Sequence, residues 1–324
     1  MFNLIRISKL IKKKANKYVS QCIRIKFVFN QIKLFLSLSC EDQEVISDII
    51  LEKTSYRSFT SLSYLNLNIT YNNYSQNMNT ENQLSDTIWR FWYQGEFDQP
   101  NIVRVCAKSF EVNGYGEKII FLDRNNIEDY VEIPNYIYDK KKNGKISNVN
   151  FSDILRCFLL AEYGGVWVDA TIYLSDTIPD FIYQSPFFAF SVTPIELCGR
   201  GTLLSSSWFL YSHKDSLLMK ALRDMMAEFW KYNETCYHHY YFHLLLRLVI
   251  ERNKLAASEW QQTPFVSNVP PHILQLELFN TFNSDRFEQI KKMSTIHKLT
   301  FYGNNFSPQK KNTVYEFLLN QNIG

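Results

Sequence analysis

No part of the 324-residue chain reaches the run of about 18 apolar residues that a membrane-spanning helix needs. The best candidate, Ile32 to Cys40, is interrupted by Lys33, Ser37 and Ser39, so no span is expected. Glycine and proline are scarce, at 10 and 9 residues, which leaves little material for flexible linkers and excludes collagen-like or mucin-like chains. Only six cysteines occur (Cys22, Cys40, Cys106, Cys157, Cys198, Cys236), and none stand in short paired spacing. That argues against a zinc site or a disulfide framework and makes reduced cytosolic thiols the default. Residues 1–40 lack acids altogether but hold nine Lys or Arg, so a net charge of +3 for the whole chain leaves −6 for the rest. A nucleic-acid binder would carry positive charge through its fold, and none is expected here as a partner.

The basic residues of 1–40 alternate with Phe2, Leu4, Ile5, Ile7, Leu10 and Ile11, the pattern of a helical arm lying on an anionic membrane surface. They continue through Lys33, unlike the short basic start of a secretory leader, so a cytoplasmic protein, peripheral at the inner face of the membrane, is expected. A merely solvated basic tail is the plainer alternative. Residues 41–86 read as a connecting region, Asn-rich in its second half, and residues 87–324 as the main domain. With 46% hydrophobic and 16% aromatic residues the chain can bury a sizeable core.

Within the main domain, strands are expected over 87–93, 118–122 and 166–174, alternating with helices over 101–113 and 150–163. Two further strand-like runs, 187–192 and 203–211, precede helices over 215–232 and 237–253. Strands separated by helices of this length predict an α/β fold with a mainly parallel sheet flanked by helices.

The most informative stretch is FSDILRCFLLAEYGGVWVDATIYL, residues 151–174. Ser152 reads as the helix cap, and Asp153 and Arg156, three apart, share one helix face. Gly164 and Gly165 end the helix and allow close backbone approach; Asp169 then interrupts an apolar strand, where a carboxylate needs a cation, a donor or water. Each feature alone has a plain reading: a surface ion pair, a helix stop, a capped turn. Together they point to a site. A second stretch, IWRFWYQGEFDQP at 88–100, ends its strand at Gln94 and Gly95. Ligands of open α/β sheets sit beyond the carboxyl ends of the strands, so this end and Asp169 are expected to line one crevice. Trp89, Trp92 and Tyr93 could stack there on a base or sugar, or simply be core, while Gln94 and Gly95 could offer a polar group and bare backbone.

These segments resemble the bacterial capsular polysaccharide synthesis proteins, which are glycosyltransferase-like and related to the yeast outer-chain initiating mannosyltransferase and the sugar-transferring domain of large clostridial toxins. The likeness rests on IWRFWYQG, SDILR at 152–156, YGGVWVDAT at 163–171, SSSWFLYS at 205–212 and YHHYYFH at 237–243. It implies a family A glycosyltransferase-like, Rossmann-like fold and a retaining transfer of sugar from a nucleotide-sugar donor to a glycan or lipid-linked acceptor. By the same resemblance Asp153 and Arg156 contact the donor sugar, and Asp169 engages the ribose and a divalent ion. Thr171 stands where the wider superfamily has a second Asp, leaving only a hydroxyl.

A leaving nucleoside diphosphate accumulates negative charge, so Mn2+ or Mg2+ is expected as cofactor. His238, His239 and His243 are the available imidazoles, with His243 the candidate second ligand. A non-catalytic nucleotide-sugar-binding or scaffold protein of a membrane assembly is the competing expectation.

Overall fold

The computed structural model describes residues 86–192, 204–236, 241–301 and 311–321. The basic arm 1–40 and nearly all of the connecting region 41–86 lie outside the described residues, as do Cys198, His238 and His239. The elements are β1 (Ile88–Phe91), α1 (Asn101–Val112), β2 (Ile119–Leu122), α2 (Asn135–Lys142), α3 (Asn148–Tyr163), β3 (Gly165–Val168), β4 (Ile172–Leu174), β5 (Phe187–Ser191) and β6 (Ser205–Ser212). They continue with α4 (Leu217–Tyr232), α5 (Tyr241–Arg252), α6 (Lys254–Gln261), α7 (Val269–Glu277), α8 (Ser284–Met293), β7 (Ile296–Lys298) and α9 (Val314–Gln321).

Five strands form the central sheet in the order β2-β1-β3-β6-β5. β1 is parallel to β2 and β3, while β6 is antiparallel to both its neighbours, so four of the five strands point one way. The fold is thus α/β with a mainly parallel sheet between helices.

Side-chain alternation divides the core across this sheet. Trp89, Phe91, Trp167, Phe187 and Leu210 face one layer with α3, α4 and α5, whereas Ile88, Val166, Val168, Phe188, Phe209 and Tyr211 face the other with Phe110 of α1. Sheets buried on both faces need near-continuous apolar strands, which is what IWRF and GVWV supply. A third cluster joins α1 to α7, α8 and α9 and takes in Ala170 and Tyr173 beside β4.

Two expectations are corrected, the first of them at α3. Its cap is Ser147, whose hydroxyl accepts from the Asn150 N–H at 3.0 Å, and Ser152 lies inside the helix. The reason is that α3 begins two residues earlier than its apolar pattern, and the first available hydroxyl caps it.

The expected strand 166–174 is also two strands. Ile172 N–H donates to the Asp169 carbonyl at 3.0 Å, closing a turn over 169–172, and β4 then leaves the central sheet to pair antiparallel with β7. A buried arginine pins this turn, since Arg90 Nη2 donates to the Ala170 carbonyl at 3.2 Å.

Candidate active site

β1, β2 and β3 end side by side, because Phe91 pairs with Leu122 and Arg90 with Val168. The next residues along the three strands are Trp92, Asp123 and Asp169. Asp123 and Asp169 flank β1, so they stand roughly two strand spacings, about 10 Å, apart. This edge is where open α/β sheets hold their ligands, beyond the carboxyl ends of the strands.

Asp169 sits in the turn with its side chain 26% exposed. Its Oδ1 accepts from Arg156 Nη2 and from Trp167 Nε1, both at 3.2 Å. Its Oδ2 accepts from Lys298 Nζ at 3.1 Å, and the same ammonium donates to Thr171 Oγ1 at 2.6 Å. A carboxylate offers about four acceptor positions, so one on Oδ2 remains for a ligand hydroxyl. Burial alone would raise the Asp169 carboxyl, but the charges of Lys298 and Arg156, with the hydrogen bonds from Trp167 and Lys298, outweigh it and hold the group below its ordinary value.

Arg156 is not a surface pair. Its side chain is 4% exposed and that of its partner Asp153 is 8% exposed. Nη1 reaches Asp153 Oδ1 at 3.1 Å and the Ser207 carbonyl at 2.7 Å. Nη2 serves Ser152 Oγ at 3.0 Å as well as Asp169, and Nε donates to the Ser152 carbonyl at 3.3 Å. All five guanidinium donors are therefore committed inside the protein. The rings of Trp167 and Phe242 cover the group at 5.1 and 5.6 Å. Contact with a donor, as the resemblance implies for Arg156, would require surrendering one of these bonds, while the bond from Nη2 to Asp169 fixes the orientation of that carboxylate. Asp153 is equally enclosed, and burial pushes its carboxyl up to about 6 against the pull of Arg156.

The remaining expected positions separate into two groups. Gln94 is exposed, and Gly95, with φ +103°, faces Asp123 so closely that a Cβ there would meet Asp123 Oδ2 at 3.4 Å. Both lie at this edge of the sheet, just past the end of β1. Trp92 is half-buried against Phe301, with ring centroids 5.5 Å apart, and its Nε1 has no hydrogen-bond partner among the described residues.

Trp89, Gly164 and Gly165 do not join them. Trp89 is buried against Tyr130 and Tyr163, and its Nε1 donates to the Gly164 carbonyl at 2.9 Å. Gly164 just precedes β3 and Gly165 begins it, five and four residues from Asp169 and so at least about 13 Å away along the strand. A Cβ on Gly164, at φ +67°, would sit 2.5 Å from the Lys214 backbone nitrogen, so the glycine is there for packing.

His243 lies on α5, its ring edge-on to Phe242 at 5.4 Å. Among the described residues no group of three or more His, Cys, Asp or Glu is arranged to hold a metal ion. The residues at the turn do not fit a divalent ion held by Asp169 and Thr171 either, because the Lys298 ammonium already bridges those two side chains.

Three residues of the site escaped the sequence reading: Lys298, Asp123 and Arg90. Lys298 ends a three-residue strand, too short to stand out, and β4–β7 pairing puts it opposite Ile172, 129 residues from Asp169 in sequence. Asp123 carried a weak signal as the residue after an apolar strand. Arg90 is fully buried, with burial lowering it to about 10, and its position within IWRF was the sign of something unusual.

A family model described as capsular polysaccharide synthesis protein matches residues 43–318. No curated protein matches the chain. No helix among the described residues is long and apolar enough to cross a membrane.

Proposed function

The chain belongs to the capsular polysaccharide synthesis family, and we propose that it is a nucleotide-sugar-dependent glycosyltransferase of family A fold, acting in surface polysaccharide synthesis. The observation that carries this reading is Asp169: a partly exposed carboxylate at the end of a central strand, fixed by Arg156, Trp167 and Lys298, with one acceptor position to spare. That position suits a ribose or sugar hydroxyl of the donor, and Gln94 and Gly95 bound the same crevice.

In the transfer, the bond between the anomeric carbon and the diphosphate oxygen breaks, its electron pair leaving on that oxygen. The acceptor hydroxyl oxygen forms the new bond, and its proton passes to the departing phosphate. The enclosure of Asp153 by Arg156 speaks against Asp153 acting as nucleophile, and Asp123 stands about 10 Å from Asp169 across β1. Front-side transfer with retention is therefore the route proposed. Mn2+ or Mg2+, expected from the charge of the leaving group, enters no step, given the ammonium between Asp169 and Thr171.

The acceptor in this reading is a growing glycan or lipid-linked saccharide at the inner membrane face, with the basic segment 1–40 as the anchor to anionic lipid. Deleting that segment should release the protein from anionic vesicles in co-sedimentation.

The test is a screen of nucleotide sugars by thermal shift, followed by release of nucleoside diphosphate. A donor at 100 times its dissociation constant adds about 2.7 kcal/mol and gives a readable shift. Failure of every donor to bind ends the proposal. Binding without hydrolysis or transfer favours a non-catalytic nucleotide-sugar binder, a reading supported by the occupation of both Asp169 oxygens.

A further inference from the structure

Among the groups bonded to the turn at 169–172 or to one another, Asp153 and Asp169 supply two negative charges and Arg156, Lys298 and Arg90 three positive ones, the other carboxylate of the site, Asp123, standing about 10 Å away across β1. Arg156 and Arg90 are buried, so the only one of these cations with appreciable exposure is Lys298, whose side chain is 20% exposed.

Its ammonium has three N–H groups. One meets Asp169 Oδ2, one meets Thr171 Oγ1, and the third has no partner among the described residues. The backbone fixes this placement, because Leu299 N–H donates to the Thr171 carbonyl at 2.9 Å and extends the β4–β7 ladder next to residue 298. Where two acids at 169 and 171 would share a divalent ion, this chain has one acid, one hydroxyl and an ammonium between them.

We infer that Lys298 is the resident cation of the site, holding the diphosphate of the donor in place of a divalent metal ion. The inference rests on the nucleotide-sugar reading above and names the group that meets the phosphates. A fixed ammonium matches a phosphate as a point charge, and its third N–H supplies a charge-assisted hydrogen bond. Thr171 is then a partner that orients the ammonium, and the absence of a second acid keeps the position attractive to an anion.

Two measurements on the full chain test this. The first uses Mn2+ alone, followed by electron paramagnetic resonance without nucleotide. The wild type should bind none at this turn, whereas Lys298→Ala combined with Thr171→Asp should gain one site. A tight Mn2+ site in the wild type that Asp169→Asn removes would overturn the inference, whatever the protein does with nucleotides.

The second titrates UDP and GDP calorimetrically in EDTA and in Mn2+. Wild-type affinity for the diphosphate that binds should be the same in both. Lys298→Ala and Lys298→Gln should weaken it about 10- to 100-fold, the worth of one charged hydrogen bond, while leaving the monophosphate little changed. Lys298→Gln is one atom shorter than lysine but keeps a polar N–H donor without the charge, so it reads the charge even if the alanine variant fails to fold. Unchanged diphosphate affinity in Lys298→Gln overturns the role of Lys298 and leaves the nucleotide-sugar reading standing. Failure of every nucleoside diphosphate to bind the wild type, UDP and GDP first among them, removes that reading and the inference with it.

Discussion

β3 is four residues long, and its two ends are held by opposite physics. At its start, Gly164 is wedged against the backbone of Ser212, His213 and Lys214, where space is the only currency. At its end, Asp169 is partly open to solvent and held by two cations and an indole N–H. A change at the first end should cost the fold, and a change at the second should cost function while the fold survives. Adjacent letters of one motif, YGGVWVDAT, therefore answer to different constraints.

The sharpest break of this contrast is Gly164→Ala. A methyl group 2.5 Å from one backbone atom and 2.7 Å from two others, at a positive φ, cannot be accommodated by moving a side chain. Little soluble, folded protein is expected, a loss on the order of 4 kcal/mol or more. A melting temperature near wild type would contradict the packing role.

Asp169→Asn comes next and should act in the other direction. It keeps shape but removes the charge facing Arg156 and Lys298, and transfer should fall on the order of a hundredfold while the protein stays folded. Near-normal turnover would remove Asp169 from the chemistry.

Arg156→Lys belongs to both ends at once. Lysine keeps the charge but cannot serve Asp153, Asp169, Ser152 and the Ser207 carbonyl together. We expect a stability loss of about 1–3 kcal/mol from the unmet buried acceptors and a fall in kcat of about tenfold, with KM little changed. A rise in KM alone would mean that Arg156 touches the donor after all.

The smallest effect is a pH slope. The Asp153 carboxyl is raised in the folded state, from 3.8 to about 6, so between those values the native protein holds more protons than the unfolded chain. Stability contributed by this group is full below about pH 4 and declines as pH rises through 6. Asp169, held low, behaves oppositely, and its contribution is lost on acidification through its folded value. Asp153→Asn should abolish the first slope. A difference in melting temperature between wild type and variant that stays flat from pH 4 to pH 7 would show that Asp153 titrates normally.

Much of this site was legible before any coordinates. SDILR and GVWVDAT marked a charged pair on a helix and an acid at a strand end, and Gln94 and Gly95 fell on the same edge of the sheet. Trp89 was legible only as an aromatic: whether it stacks on a ligand or packs inside depends on which sheet face α3 covers, and α3 covers the face that Trp89 shares with Trp167. The plain reading of Asp153 and Arg156 as a surface pair failed for a similar reason, since the middle of α3, residues 153–161, is buried on every side.

The sequence by itself determined the alternation of strands and helices, the apolar centre of the sheet and the chemical identity of the residue after β3. These depend on periodicity and composition within a few turns of chain. Only the tertiary structure decided that Asp169 meets a lysine from 129 residues away, that Arg156 spends every donor inside the protein, and that Gly164 faces a backbone rather than a ligand. Each of those outcomes is set by strand pairing and by which surfaces exclude water, and no local pattern of residues encodes either.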